Sequence, residues 1–143
     1  MKPSLTHIAM AVRNLDASIG FYRRYCGFTV VHDRGEHAGR VVWLAPEEPP
    51  KSMILVMMKG EHRKPQHPND YSHLGFALGS KAEVDALAAQ ADVEGVLLWA
   101  PRQEPFPVGY YCGLVDPDGQ YVEFSFGQPL GPGAPDLDEV DMK

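Results

Sequence analysis

Two short stretches with the same alternation constrain this chain more than anything else in it. Thr6-His7-Ile8-Ala9-Met10-Ala11-Val12 and Ser72-His73-Leu74-Gly75-Phe76-Ala77-Leu78 both read as strands, in which successive side chains point to opposite faces. Each then divides into a bulky face and a face of one histidine with two small residues. The bulky face can bury against a helix, whereas Ala, Gly and Ala leave a hollow beside an imidazole. A third strand, Tyr121-Val122-Glu123-Phe124-Ser125-Phe126-Gly127, alternates in the same way and sets Glu123 and Ser125 apart from Val122, Phe124 and Phe126.

The segments between these strands repeat an order. After the first, Asn14 or Asp16 can cap a helix with apolar positions Leu15, Ile19, Tyr22 and Cys26, closed by Gly27. Thr29 to Val31 reads as a strand, Asp33 to Gly39 as a polar loop with His32 and His37 around it, and Arg40 to Leu44 as a strand. Met53 to Met58 is a further strand after the turn Glu47-Glu48-Pro49-Pro50. After the second histidine strand, Ser80 and Glu83 form a capping box ahead of a helix whose stripe is Val84, Leu87, Ala88 and Ala91. Val96 to Trp99 and Val108 to Val115 are strands, and Asp116-Pro117-Asp118-Gly119 turns the chain into the Glu123 strand. A duplicated βαβββ unit describes this pattern.

The expected organisation is α+β. A first module spans residues 1–60, a linker 61–69, a second module 70–128, and an acidic Pro/Gly-rich tail 129–143, which reads as mobile. His62 and His67 fall in the linker, as solvated side chains. A type I turn with Gly119 as a left-handed bulge residue places Gly113 opposite Glu123 and Tyr111 opposite Ser125. A plain hairpin would put Cys112 and Tyr110 in those places instead.

Composition narrows the partners. A net charge of −6 and the lack of a basic run argue against nucleic acid. No apolar run approaches the length of a membrane helix, and Met1-Lys2-Pro3-Ser4 lacks a leader's apolar core, so a cytoplasmic protein is expected. Cys26 and Cys112 read as reduced, buried thiols.

His7, His73 and Glu123 together suit a divalent first-row metal with open positions for substrate. Fe(II) or Mn(II) is favoured, with Zn(II) or Ni(II) as alternatives. Tyr111, if the bulged register holds, shares the hollow as a hydrogen-bonding or proton-moving group. The strand from Met53 to Met58 directs either Met53, Leu55 and Met57 or Ile54, Val56 and Met58 toward the hollow, which favours a ligand with an apolar or aromatic body.

The stretches His7 to Asp16, Phe21-Tyr22 through Gly27-Phe28, His73 to Phe76 and Asp116 through Glu123 resemble the vicinal oxygen chelate superfamily of glyoxalases, bleomycin-resistance proteins, fosfomycin-resistance enzymes and extradiol dioxygenases. The resemblance implies two βαβββ modules forming a curved-sheet cup around a metal. The ligands come from first and last strands, here His7, His73 and Glu123. Where glyoxalases carry a glutamate in the first module, the candidates Leu55, Val56 and Met57 are apolar. The resemblance further implies a homodimer acting on a small molecule. An extradiol-type dioxygenase is the favoured activity. The alternatives are a glyoxalase-like lyase or isomerase, a fosfomycin-type thiol transferase, and a metal-free ligand-binding protein.

Overall fold

In a computed structural model of the chain, which describes residues 1–60 and 64–141, the polypeptide divides into two units, Met1–Pro65 and Gln66–Lys143. His62 lies outside the described residues.

The first unit contains β1 (His7–Val12), α1 (Leu15–Cys26), β2 (Thr29–Arg34), a 3-10 turn (His37–Gly39), β3 (Val41–Ala45) and β4 (Ile54–Lys59). The sheet order is β1-β4-β3-β2, with β1 and β4 parallel and the other pairs antiparallel. The Asn14 side chain accepts a hydrogen bond from the Ala17 amide at 3.1 Å to start α1, and Gly27 ends it at φ 65°. The buried stripe of α1 is Leu15, Ser18, Phe21, Tyr22 and Tyr25, so Ile19 and Cys26 flank the contact instead of making it. Two aromatic rings carry more area than Ile19 and Cys26 could, and the small Ser18 lets the helix approach its sheet. On the side of β4 away from the hollow, Leu55 and Met57 are wholly buried, each contributing about 1.5–3 kcal/mol.

The second unit repeats the order: β5 (His73–Ala77), α2 (Lys81–Val93), β6 (Leu97–Gln103), β7 (Tyr110–Val115) and β8 (Tyr121–Phe126), with sheet order β5-β8-β7-β6. Ser80 caps α2, its Oγ accepting from the Glu83 amide at 3.2 Å and donating to the Glu83 carboxylate at 3.3 Å, which is one half of the expected capping box, and Val84, Ala88 and Ala91 bury against the sheet with Leu87 at the margin. The core beneath them is Cys112, Leu114, Val122 and Phe124. Phe76 stacks on Phe124 with ring centroids 5.6 Å apart.

Three expectations need correction. Asp33 and Arg34 continue β2 as paired strand residues, held by register with β3. His32 is likewise a strand residue, its ring 5.2 Å from that of Trp43. The β6 strand runs past Trp99 to Gln103, accommodating Pro101 because β6 is an edge strand. The tail contributes no helix or strand among the described residues, yet it packs on the end of β5 and β8. A Cβ at Gly131 would lie 2.6 Å from that of Ala77, and one at Gly133 would lie 2.4 Å from the Phe126 ring. This close approach needs glycine at both positions.

Candidate metal centre

Register places the candidate ligands. β1 and β4 pair with His7 opposite Ile54 and Ala9 opposite Val56, while β5 and β8 pair with His73 opposite Tyr121 and Gly75 opposite Glu123. Val56 therefore stands at the position in its sheet that Glu123 holds in the other, and of the three apolar candidates it is the one that replaces a carboxylate. Its neighbours on the hollow side are Ile54 and Met58, so Leu55 and Met57 belong to the core.

The turn after β7 takes the bulged form. The Asp116 amide donates to the Gln120 carbonyl at 2.9 Å, Gly119 adopts φ 81°, and Tyr111 and Gly113 pair with Ser125 and Glu123. Tyr110 points the other way, its hydroxyl 2.6 Å from Asp85 on α2. Tyr111 thus shares with Tyr71, His73, Trp99, Arg102 and Glu123 a hollow of about 260 Å³.

The chemistry at its floor is specific. His73 Nδ1 lies 2.7 Å from the Tyr71 carbonyl oxygen, which can only accept, so Nδ1 carries a proton and Nε2 is the ring nitrogen that faces Glu123. Glu123 Oε2 is 3.3 Å from that Nε2. Two electron-rich atoms at this separation need a cation between them, either a proton or a metal. The other carboxylate oxygen, Oε1, accepts from Gln128 Nε2 at 2.9 Å, and the same nitrogen donates to the Val108 carbonyl at 3.0 Å. Gln128 thereby fixes the carboxylate of a residue that is 7% exposed. In the first unit, Thr6 Oγ1 engages His7 Nδ1 at 3.0 Å, which leaves His7 Nε2 without a hydrogen-bond partner from this pair.

Within either unit, among the described residues, no group of three His, Cys, Asp or Glu side chains makes a complete metal site. The second unit brings together two of the three expected ligands, His73 and Glu123, with Tyr111 beside them; His7 belongs to the first unit. The imidazole and carboxylate donors fit a divalent first-row metal, and each is already oriented by a neighbour. Cys112 points to the core side of β7. Burial, with the nearby Glu123 and Asp85 charges, pushes its thiol up to about 12. That makes it a packing residue and no nucleophile.

Sequence alternation missed Trp99, Arg102 and Gln128. Trp99 and Arg102 are three apart and would lie on opposite faces of a regular strand. A bulge between them pairs Trp99 with Gly113 and Arg102 with Tyr111, which puts both on the hollow side. Pro101 between them was the available signal. Trp99 contacts His73, Tyr111 and Tyr121 edge to face, with centroids 6.1, 6.5 and 5.5 Å away.

These features define a vicinal-oxygen-chelate type of protein: duplicated βαβββ units with candidate ligands on first and last strands. The chain belongs to the Glyoxalase/Bleomycin resistance protein/Dioxygenase superfamily, whose model matches residues 4–124. An uncharacterized protein of Pseudomonas aeruginosa is 53% identical over 134 residues, covering 94% of this chain and 96% of its own. Glutathione transferase FosA of Serratia marcescens is 24% identical over 131 residues, covering 89% of this chain and 83% of its own. Among solved structures, the genomically encoded fosfomycin resistance protein FosX of Listeria monocytogenes aligns with TM-score 0.70 at 18% identity. That alignment covers 87% of this chain and 93% of FosX, and shows the shared fold. A variant of FosX has been solved with Mn(II) and dihydroxypropylphosphonic acid. No helix among the described residues is long and apolar enough to cross a membrane.

Proposed function

We propose that this protein is a metal-dependent enzyme acting on a small molecule with two adjacent oxygens, and that His7, His73 and Glu123 hold the metal, with Fe(II) or Mn(II) favoured. The observation that carries this reading is the inward-facing His73 Nε2 beside a Glu123 oxygen, each oriented by a hydrogen bond from behind. A sequestering pocket gains nothing from desolvating such a pair. When bound, the metal supplies Lewis-acid polarisation of chelated oxygens and, as Fe(II), a site for O₂.

The protein's own groups do the rest. The Tyr111 hydroxyl faces the same hollow and is placed to hydrogen-bond a bound oxygen or move its proton. Trp99, Tyr71 and Tyr111 wall the hollow with rings, which suits an aromatic or apolar substrate. Ring-cleaving dioxygenase chemistry is the reaction we favour. Thiol transfer is the second reading, supported by the likeness to glutathione transferase FosA. We also place the protein in the cytoplasm as a homodimer, for which light scattering should give about twice 15.8 kDa.

Metal titration by calorimetry tests the site. His73→Ala and Glu123→Ala should each abolish stoichiometric Mn(II) binding, and wild-type affinity in both would overturn the assignment. Aerobic assay of catechols, 2-oxoaldehydes and epoxides with glutathione, on Fe(II)- and Mn(II)-loaded protein, tests the reaction. Turnover of the thiol substrates without turnover of catechols would overturn the dioxygenase reading.

A further inference from the structure

The two sheets share a feature beyond their histidines. Arg34 on β2 pairs in register with Val41, and Arg102 on β6 pairs with Tyr111. Val41 and Tyr111 each stand two residues before the partner of the Val56 or Glu123 position. The two arginines therefore occupy equivalent positions, each carried onto the hollow side by a bulge in its outer strand. Their surroundings differ. Arg102 is engaged by Glu104 and lies over the Tyr111 ring at 5.9 Å. Arg34 is exposed and has no carboxylate in ion-pair distance among the described residues, while its neighbour Arg40 takes up both Asp16 and Asp33.

Arg34 borders a hollow of about 350 Å³ in the first unit. Its floor, from register, is Val41, Trp43, Ile54, Val56 and Met58, and His7 stands on the strand at the opposite edge. Three strand spacings, roughly 14 Å at the backbone, separate β1 from β2. Long side chains at either edge reach inward over an apolar surface between them. A guanidinium at such a rim recognises a carboxylate or sulfonate bidentately, and the apolar floor beside it strengthens the pairing by excluding water.

We propose that this hollow binds a small molecule with an apolar, preferably aromatic, body whose anionic group pairs with Arg34. The body would lie on Trp43 and Val56, and oxygens at its other end would face His7. This rests on the reading of His7 as part of the substrate site. It adds the substrate class, an aryl or similarly apolar anion, and makes Arg34 its specificity-determining residue.

The test uses metal-free full-length protein, so it does not depend on metal binding. The chain has two tryptophans, Trp43 in this hollow and Trp99 in the other, and their indole N–H resonances are assigned with Trp43→Phe. Titration with 2-naphthoate should shift the Trp43 resonance, with affinity at least tenfold above that for neutral 2-naphthamide. Arg34→Gln should erase this preference and Arg34→Lys should retain part of it. Equal binding of acid and amide, an unmoved Trp43 resonance, no binding of either compound at millimolar concentration, or a preference that survives Arg34→Gln would each overturn the proposal. Failure of Mn(II) binding in the titration above would instead overturn the metal reading and leave this result standing.

Discussion

Gly113 and Trp99 are fitted to one another across the β6–β7 pair. A Cβ on Gly113 would lie 2.3 Å from Trp99 Cε3 and 2.7 Å from Cδ2, so the indole rests directly on the bare backbone of the strand opposite Glu123. From there its edges meet His73, Tyr111 and Tyr121. Gly113→Ala should displace the ring and cost about 1–3 kcal/mol by overpacking. Urea denaturation would show the loss, and a changed Trp99 emission in the folded protein would show the displaced ring; an unchanged midpoint and spectrum would contradict the packing.

Gln128 holds the Glu123 carboxylate through its amide nitrogen, which also donates to the Val108 carbonyl. Gln128→Leu keeps the approximate volume and removes both donors. Supporting partners of this kind are worth about 10–100-fold in metal affinity. We expect a loss of that size in a Mn(II) titration, with thermal stability near wild type. Metal binding should also weaken in mild acid, where protons compete for the imidazole nitrogens.

The thiols give a pH-dependent expectation. Burial raises Cys112 from an ordinary value of 9.0 to about 12, and burial alone holds Cys26 higher still. Above about pH 9 the unfolded chain loses thiol protons that the folded chain keeps, so the unfolded state binds fewer protons and stability falls as pH rises toward 12. Cys112→Ala should flatten that decline. At pH 8 the fully buried Cys112 thiol of the native protein should not react with a disulfide reagent on the minutes scale, whereas it should react after denaturation.

The tail crosses Phe126 and Ala77 at two glycines. Gly133 has φ 77°, and a side chain there would meet the Phe126 ring. Gly133→Ala should lower stability by about 1–3 kcal/mol through combined backbone strain and crowding. Truncation after Gln128 should give a comparable loss by uncovering the ring. Thermal unfolding measures both, and an unchanged Tm in the truncated chain would show that the tail contributes nothing.

What the sequence determined by itself is what depends on local chemistry. The faces of β1, β5 and β8 follow from strict alternation, and the start of the second helix from Ser80, whereas the choice of Asn14 over Asp16 and of the bulged turn over a plain hairpin, which sets Tyr111 on the hollow side, came from the folded chain. His73 and Glu123 meet because parallel pairing aligns Gly75 with Glu123 once each strand's buried face is set. Tertiary structure decided the rest. Whether β2 and β6 bulge depends on the strand each pairs with, and a single extra residue moves every later side chain to the other face. Arg34, Trp99 and Arg102 reach their hollows by that route; Pro101 hints at the irregularity in β6, but only pairing with β7 fixes where it falls, and β2 carries no such hint. The choice of Val56 over Leu55 and Met57, and the reach of Gln128 back to Glu123, likewise arise from register between strands that the chain brings together only on folding.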